Sequence, residues 1–412
     1  MARKSYLGVD IGTSGIKIVQ LEDYRGQPKL VTYGQVEAHF DFVRDQSQGL
    51  QETVANLLGQ LLQNAHTTTT RCIAALPTFA VFNSIISLPR MSRRDLATAV
   101  KWEAKKFIPL PIDDMILSWK VLEGAKTTLA EKIFMMNVGS LMKKKDKDAG
   151  TAKPAPGGDL TKTTKGILGS LSPLAEVKAE GKAMEKALKA GENGSEPSQR
   201  NVRILLTAAP KNLVSRYIDI FKLANTTLLS IETEAFALSR ALIGTDNENV
   251  MIIDIGSSST NICMIERGVP VLNRGMDIGG YHITKSISDS LNVNFERAEQ
   301  FKLDFGIQSQ EQHSGIPDAI KDSLQPIINE IQYVFELYQN QGNLRVDRIL
   351  LSGGSAFLPN LTNFLSQLLK IPVYIGNPWD RIIYPLDLKP VLEAIGPQMA
   401  VAVGLAMRDI SS

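Results

Sequence analysis

Asp10-Ile11-Gly12-Thr13-Ser14-Gly15 lies between the apolar runs Ser5–Val9 and Ile16–Leu21, and it returns 244 residues later. The second copy is Asp254-Ile255-Gly256-Ser257-Ser258-Ser259-Thr260, between Val250–Ile253 and Ile262–Glu266. Each copy predicts two strands around a tight turn. In such a turn glycine lets the backbone approach a ligand closely. Successive amide N–H groups form an anion-binding nest, and the Ser and Thr hydroxyls add donors. An Asp at a strand end offers a hard oxygen to Mg²⁺, which keeps most of its waters and bridges to phosphates. Two such turns facing each other would hold a triphosphate from both sides. Lys17, on the returning strand, places an ammonium within reach of a phosphate. One copy alone would read as a polar hairpin, but two copies in matching strand contexts argue for a site. The pattern is neither a P-loop nor a dinucleotide turn, because neither Gly-x4-Gly-Lys-[Ser/Thr] nor a strand-borne Gly-x-Gly-x-x-Gly occurs.

Outward from the first turn, the pattern predicts a strand at Lys29–Val36 and a helix at Gln51–Leu62. Strands follow at Cys72–Leu76 and Val81–Leu88, and a helix opens near Ser92 and stops at Ile108-Pro109. Strands at Leu117–Leu122 and Val202–Thr207 flank a long insertion. A helix (Lys211–Ala224), a strand (Leu228–Ile231) and a helix (Thr233–Leu242) lead to the second turn. Beyond it come helices near Gly279-Gly280, Phe295–Asp304 and Ile320–Tyr338, the glycine turn Ser352-Gly353-Gly354-Ser355, and a closing helix of small residues, Gln398–Met407. This predicts an α/β protein of two related lobes.

Composition bounds the function. The 412 residues carry 45 Lys+Arg against 43 Asp+Glu, a net charge of +2, which argues against a dedicated nucleic-acid binder. The longest apolar run, near Met399–Met407, is short for a membrane span. Asp10 interrupts any apolar core of a signal peptide. Cys72 and Cys263 read as core thiols. The even balance hides an asymmetry: residues 124–200 hold 13 Lys and 1 Arg against 9 acids, with one aromatic, Phe134. Such a stretch is expected to stay largely disordered, with the apolar Leu129–Lys145 and the helix-prone Leu174–Ala190 as exceptions.

The paired turns resemble the first and second phosphate motifs of the actin-like ATPase superfamily, and Leu351-Ser352-Gly353-Gly354-Ser355 with Leu358-Pro359 resembles its adenosine motif. Gly279-Gly280 with Thr284, and Ala298-Glu299 with Lys302, resemble its ribose- and adenine-contacting segments. Within the superfamily the chain resembles the PilM family of type IV pilus assembly proteins, relatives of the division protein FtsA. The resemblance rests on Leu88-Pro89, Met91-Ser92, Ala99–Ala104, Phe107–Asp113, Ala208-Ala209-Pro210, Glu234–Leu238 and Ala402–Ala406. It implies a two-lobed actin-like (ribonuclease H-like) α/β fold with an extra subdomain inserted in the first lobe. The first lobe would be 1–82, the extra subdomain 83–123 and 201–228, the low-complexity insertion 124–200, and the second lobe with its return 229–412.

The resemblance further implies ATP and Mg²⁺ as ligands. Asp10 and Asp254 would serve the metal, and Gly12, Thr13, Ser14, Gly15, Lys17, Gly256, Ser257, Ser258 and Ser259 the phosphates. Gly279, Gly280, Glu299, Lys302, Gly353, Gly354 and Ser355 would serve the nucleoside. The water-orienting acid would be Glu234, in a Glu-Ala-Phe-Ala stretch where the family has Glu-Pro-x-Ala, or Glu232 in the alternative register; either also fits an ordinary helix-start acid. The serine-rich second turn keeps donors while removing negative charge, which favours binding over fast hydrolysis. The family docks a short N-terminal cytoplasmic peptide of the inner-membrane protein PilN near the extra subdomain and so links membrane proteins to the pilus motor. A cytoplasmic location, peripheral at the inner membrane, follows, and a homo-oligomer is compatible with it. An FtsA-like filament protein ranks lower, because that reading wants an amphipathic anchor after Arg408. A small-molecule kinase on the same core ranks lower still, for want of a base in a substrate pocket. Trp102, Phe107 and Ile108 read as subdomain core ahead of the alternative, a partner surface. The run Lys143-Lys144-Lys145-Asp146-Lys147 reads as a solvated charge run or, more sharply, as attraction to an anionic leaflet.

Overall fold

The two turns produce two hairpins of the same register. The computed structural model describes residues 4–41, 45, 47–108, 110–122, 136–137, 201–307, 316–340 and 345–410. In the first lobe β1 (Ser5–Gly12) pairs antiparallel with β2 (Gly15–Tyr24), which pairs with β3 (Gln27–Glu37). After α1 (Gln48–Asn64), β4 (Arg71–Leu76) joins β1 in parallel. After β5 (Phe82–Leu88), α2 (Arg93–Phe107) and β6 (Met115–Val121), the two-residue β7 (Met136–Asn137) joins the far edge of the first sheet. Next come β8 (Val202–Pro210), α3 (Lys211–Leu223), β9 (Thr227–Thr233), which pairs with β4, and α4 (Glu234–Leu242). The first sheet is ordered β3-β2-β1-β4-β9-β7.

The second lobe repeats the scheme with β10 (Asn249–Ile255), β11 (Thr260–Glu266) and β12 (Val269–Met276). Helices α5 (Gly280–Leu291), α6 (Phe295–Phe305) and α7 (Ile316–Gln339) follow, then β13 (Arg348–Ser352), α8 (Leu361–Leu369), β14 (Val373–Ile375) and α9 (Lys389–Met407). Its sheet order, β12-β11-β10-β13-β14, is the order of the first five strands of the other sheet. This is the two-lobed α/β architecture expected.

Both sheets are covered on both faces, so their central strands read as unbroken apolar runs. Alternation still assigns the faces. Val250 and Ile252 join one core with Tyr6, Val19 and Ile73 of the first sheet, whereas Met251 and Ile253 face the core built on α5, α7 and α8. Between the sheets lie α4 and α9, which cross at van der Waals limits: a Cβ on Gly404 would stand 1.9 Å from Ala237 O. The sequence pattern starts α9 at Gln398, behind Pro397, but the helix begins at Lys389 and runs through that proline. The proline removes the helical donor to Glu393 O, and its own carbonyl accepts hydrogen bonds from Gly353 N and Ser352 Oγ, both 3.0 Å, which ties α9 to the glycine turn. A segment long and apolar enough for a membrane span by length and composition does exist here, Leu386–Met407, contrary to the expectation above. All of its residues from Met399 to Met407 are buried in the protein core. Cys72 and Cys263 are buried free thiols.

A third, antiparallel sheet, β5-β8-β6, carries α2. The helix that follows it, α3, packs on α1, on β9 and on β8 of this sheet. Strands β6 and β8 pair from Met115↔Pro210 to Val121↔Ile204, and Leu122 N donates to Arg203 O at 2.8 Å. The insertion thus leaves and re-enters at neighbouring points. Of its residues only Met136–Asn137 are described, paired with Ile231 and Ser230. The Lys143–Lys147 run and Leu174–Ala190 lie outside the described residues. Because closure entropy grows only as the logarithm of loop length, replacing Lys126–Gln199 by a short Gly/Ser linker should leave the cooperative melt within a few degrees of the parent. A broad, non-cooperative melt would contradict this.

Candidate functional site

The hairpin register aims the chemistry. Directly opposed residues of an antiparallel pair share a face. Asp10 opposes Lys17, and their charged groups stand 3.8 Å apart. Asp254 opposes Asn261, so the repeat extends to the returning strand, with Asn in place of Lys. Asn261 Nδ2 donates to Glu234 Oε2 at 3.0 Å, and Thr78, just past β4, donates to the same oxygen from N (2.9 Å) and Oγ1 (3.1 Å). Glu234, at the first position of α4, thereby joins Asp10 and Asp254 in one buried acid cluster. Burial raises Asp10 above the usual carboxylate range, against the pull of Lys17. Burial and then the charge of Asp10 push Asp254 up to about 6, while Ser352, Lys17 and Asn261 pull the other way. Burial and then Asp10 and Asp254 push Glu234 up to about 8. Three carboxyls with one adjacent ammonium leave the cluster short of positive charge, and among the described residues no three His, Cys, Asp or Glu stand close enough together to hold a metal ion by themselves.

The two turns touch. Ser258 Oγ donates to Thr13 Oγ1 at 2.6 Å, across 245 residues of sequence. A cavity of about 460 Å³ opens beside this contact, lined by Thr13, Ser257, Ser258, Ser259, Phe79 and Tyr281 among others. Gly12, Ser14, Gly15 and Gly256 complete the turns; Ser14, Gly15 and Lys17 also line a smaller cavity of about 100 Å³. The second turn is pinned by the start of α5, where Gly280 N donates to Gly256 O (2.9 Å) and Tyr281 N to Ser257 O (2.8 Å). Gly279 lies so close to that turn that a Cβ would come within 2.6 Å of two of its carbonyls.

The nucleoside candidates meet at the same helix start. Lys302 Nζ donates to Glu299 Oε2 (2.7 Å), Thr284 Oγ1 (2.9 Å) and Gly280 O (3.4 Å), and Thr284 also bonds Glu299. Ser355 Oγ stands 2.6 Å from where a Cβ on Gly280 would be. Gly353 takes φ +85 and rides on Ile255, where a side chain is both strained and excluded; Gly354 opens the short turn of 3-10 helix that follows. Glu299, Lys302, Gly353 and Ser355 do not line the cavity at the phosphate turns; Lys302 and Ser355 approach Gly280, whose N–H binds the second turn.

Glu232 is not brought to this cluster. It lies at the end of β9, paired bidentately with Arg240 (2.7 and 3.0 Å), and Arg408 Nε stands 3.9 Å away. Three residues that the motifs did not single out do belong, Thr78 among them through its two hydrogen bonds to Glu234. Asn261 is flagged in hindsight as the counterpart of Lys17 in the repeat. Tyr217, from α3, carries no sequence signal; burial raises its phenol pKa, and the charges of Glu234 and Asp10 raise it further.

The sequence profile of the family described as "Type IV pilus assembly protein PilM" matches residues 8–139 and 189–410. The chain belongs to the PilM family. A solved PilM-PilN type IV pilus biogenesis complex has the same fold, with a TM-score of 0.72 and 22% identity over 100% of both chains. Among curated relatives, the cell division protein FtsA of Staphylococcus epidermidis is 22% identical over 213 residues, 47% of this chain and 46% of that protein. FtsA of Bacillus subtilis is 25% identical over 200 residues, 42% of this chain and 44% of that protein. The chain thus spans about half the length of the curated relatives it matches. The PilM family and its two-lobed actin-like fold are those that the motifs implied.

Proposed function

We propose that this PilM-family protein is a cytoplasmic Mg-ATP-binding scaffold of type IV pilus assembly that docks a short N-terminal peptide of a PilN-like inner-membrane protein and couples it to the pilus motor. The observation that carries the nucleotide half is the Thr13–Ser258 contact in front of the acid cluster. Asp10 and Asp254 would hold Mg²⁺, whose charge offsets theirs. The two turns and Lys17 would take the phosphates, replacing the hydroxyl–hydroxyl bond. Glu299, Lys302 and Gly353–Ser355 would take the nucleoside. Glu234 is the candidate to orient water. Its Oε2 already accepts three hydrogen bonds, so turnover without partners should fall far below the typical enzyme rate of about 10 s⁻¹. A steady-state phosphate-release assay at that rate would contradict this.

The docking half is supported by the fold shared with a PilM-PilN complex and by a groove of about 600 Å³ between the third sheet and α3, lined by Leu110, Pro111, Met115, Pro210 and Lys211 among others. Leu110 is half exposed there. Leu110→Asp should abolish copurification of the partner, as should deletion of the partner's N-terminal peptide, with the melting curve unchanged. Copurification that survives both changes would reject this docking mode. The FtsA relatives favour a second reading, a membrane-associated filament protein, and pelleting of the protein alone on addition of Mg-ATP would support it.

A further inference from the structure

The third sheet presents a charged surface unrelated to the nucleotide site. Helix α2 buries Leu96, Ala99, Val100 and Ala104 and turns the rest of its circumference outward. Between Arg90 and Lys106 the chain has six cations (Arg90, Arg93, Arg94, Lys101, Lys105 and Lys106) and two acids. Both acids are engaged. Asp95 accepts from Ser92, the N-cap residue, at 2.6 Å, and Glu103 holds Lys106 at 2.9 Å. Among the described residues no carboxylate lies within ion-pair distance of Arg93, Arg94, Lys101 or Lys105, and all four are exposed. At 100° per residue Arg94, Lys101 and Lys105 fall within about 40° of one another, separated by the small Ala97 and Thr98. Lys105 lies over the Trp102 ring, 4.5 Å from its centroid. At the end of the helix Phe107, a core residue by its sequence pattern, is 46% exposed, while Ile108 goes inside.

We propose that the outer face of α2 docks on an anionic lipid bilayer. Charge complementarity calls for a polyanion, and the ring of Trp102 decides which kind. Trp102 beside long-stemmed cations gains from a boundary between headgroups and acyl chains, where aromatic rings settle and Lys and Arg reach outward to phosphates, whereas Phe107 lies on the side of Leu96 and Val100 and takes no part. A soluble acidic chain rewards the cations alone. The surface is formed by residues 93–105, distinct in sequence from the Lys143–Lys147 run, and it does not rest on nucleotide binding.

The test is cosedimentation of the full-length protein with vesicles of phosphatidylcholine containing about a third phosphatidylglycerol, across a salt series. A basic residue near such a surface contributes about a factor of five, and the effect fades within a Debye length. Arg94→Gln, Lys101→Gln and Lys105→Gln combined should therefore weaken binding on the order of a hundred-fold at low salt. Lys143→Gln, Lys144→Gln, Lys145→Gln and Lys147→Gln in the same full chain should leave at least part of the binding in place. In a parallel measurement in a Trp119→Phe background, brominated lipid should quench tryptophan fluorescence when Trp102 is present and much less in Trp102→Phe, because Trp119 is half-buried on β6 and Trp379 is fully buried. Four results would overturn the proposal: less than a threefold effect of the triple change, complete loss with the Lys143–Lys147 variant alone, equal quenching with and without Trp102, or binding of soluble polyglutamate without binding of vesicles.

Discussion

Glu232→Gln should lower folding stability by about 3–5 kcal/mol, because it removes one partner of a buried ion pair. Arg240 would keep its charge and lose the carboxylate that meets it, while Gly404 O still accepts from it at 2.6 Å. Glu234→Gln should do the opposite. It removes a carboxyl from a cluster of three, and an amide oxygen can still accept from Thr78 and Asn261. Stability should stay within about 1 kcal/mol of the parent, while any measurable ATP turnover is lost. Denaturant melts and phosphate release for the two variants decide between the registers. A stable, inactive Glu232→Gln beside an unstable, active Glu234→Gln would reverse the assignment.

Gly404→Val should be more damaging still. A Cβ at Gly404 meets Ala237 O at 1.9 Å and Ala237 C at 2.5 Å, both backbone. On the other side of α9, a Cβ at Gly8 meets Ala402 O at 2.0 Å. Overpacking a core typically costs 1–3 kcal/mol when side chains can shift, but here two helices and a strand would have to separate. Loss of soluble, cooperatively melting protein is expected for Gly404→Val and for Gly8→Val. The control Gly59→Ala, where a Cβ meets nothing within 4 Å on an exposed face of α1, should be neutral or slightly stabilising. A folded Gly404→Val with a parent-like melt would mean that α4 and α9 do not cross as described.

These contacts mark where sequence reasoning stops. The paired turns were legible because strand, turn and strand repeat within one short window and chemistry fixes the residue types. The choice between Glu232 and Glu234 was not, because only packing separates them: it brings Arg240 and Arg408 to one, and Thr78, Asn261 and the two other acids to the other. Arg408 comes from the far end of the chain, and whether it faces one acid or the other is set by how α9 packs. The start of α9 was misplaced because Pro397 reads locally as a helix start, and only the glycine turn at Gly353 reveals what its carbonyl binds. Phe107 looked like core because it closes an apolar pattern, yet the helix ends there and Ile108 takes the inward place. The contact of Thr13 with Ser258 needed the two lobes side by side.

The central claim is that the two turns grip one Mg-nucleotide, and thermal melting of the full chain with and without Mg-ATP tests it most directly. At a concentration of about 100 times Kd the nucleotide should add about 2.7 kcal/mol, a rise of several degrees in Tm for a protein of this size. Asp10→Ala and Lys17→Ala should each lose most of that rise. Melting curves that coincide at millimolar Mg-ATP, or a rise that survives both substitutions, would contradict the account.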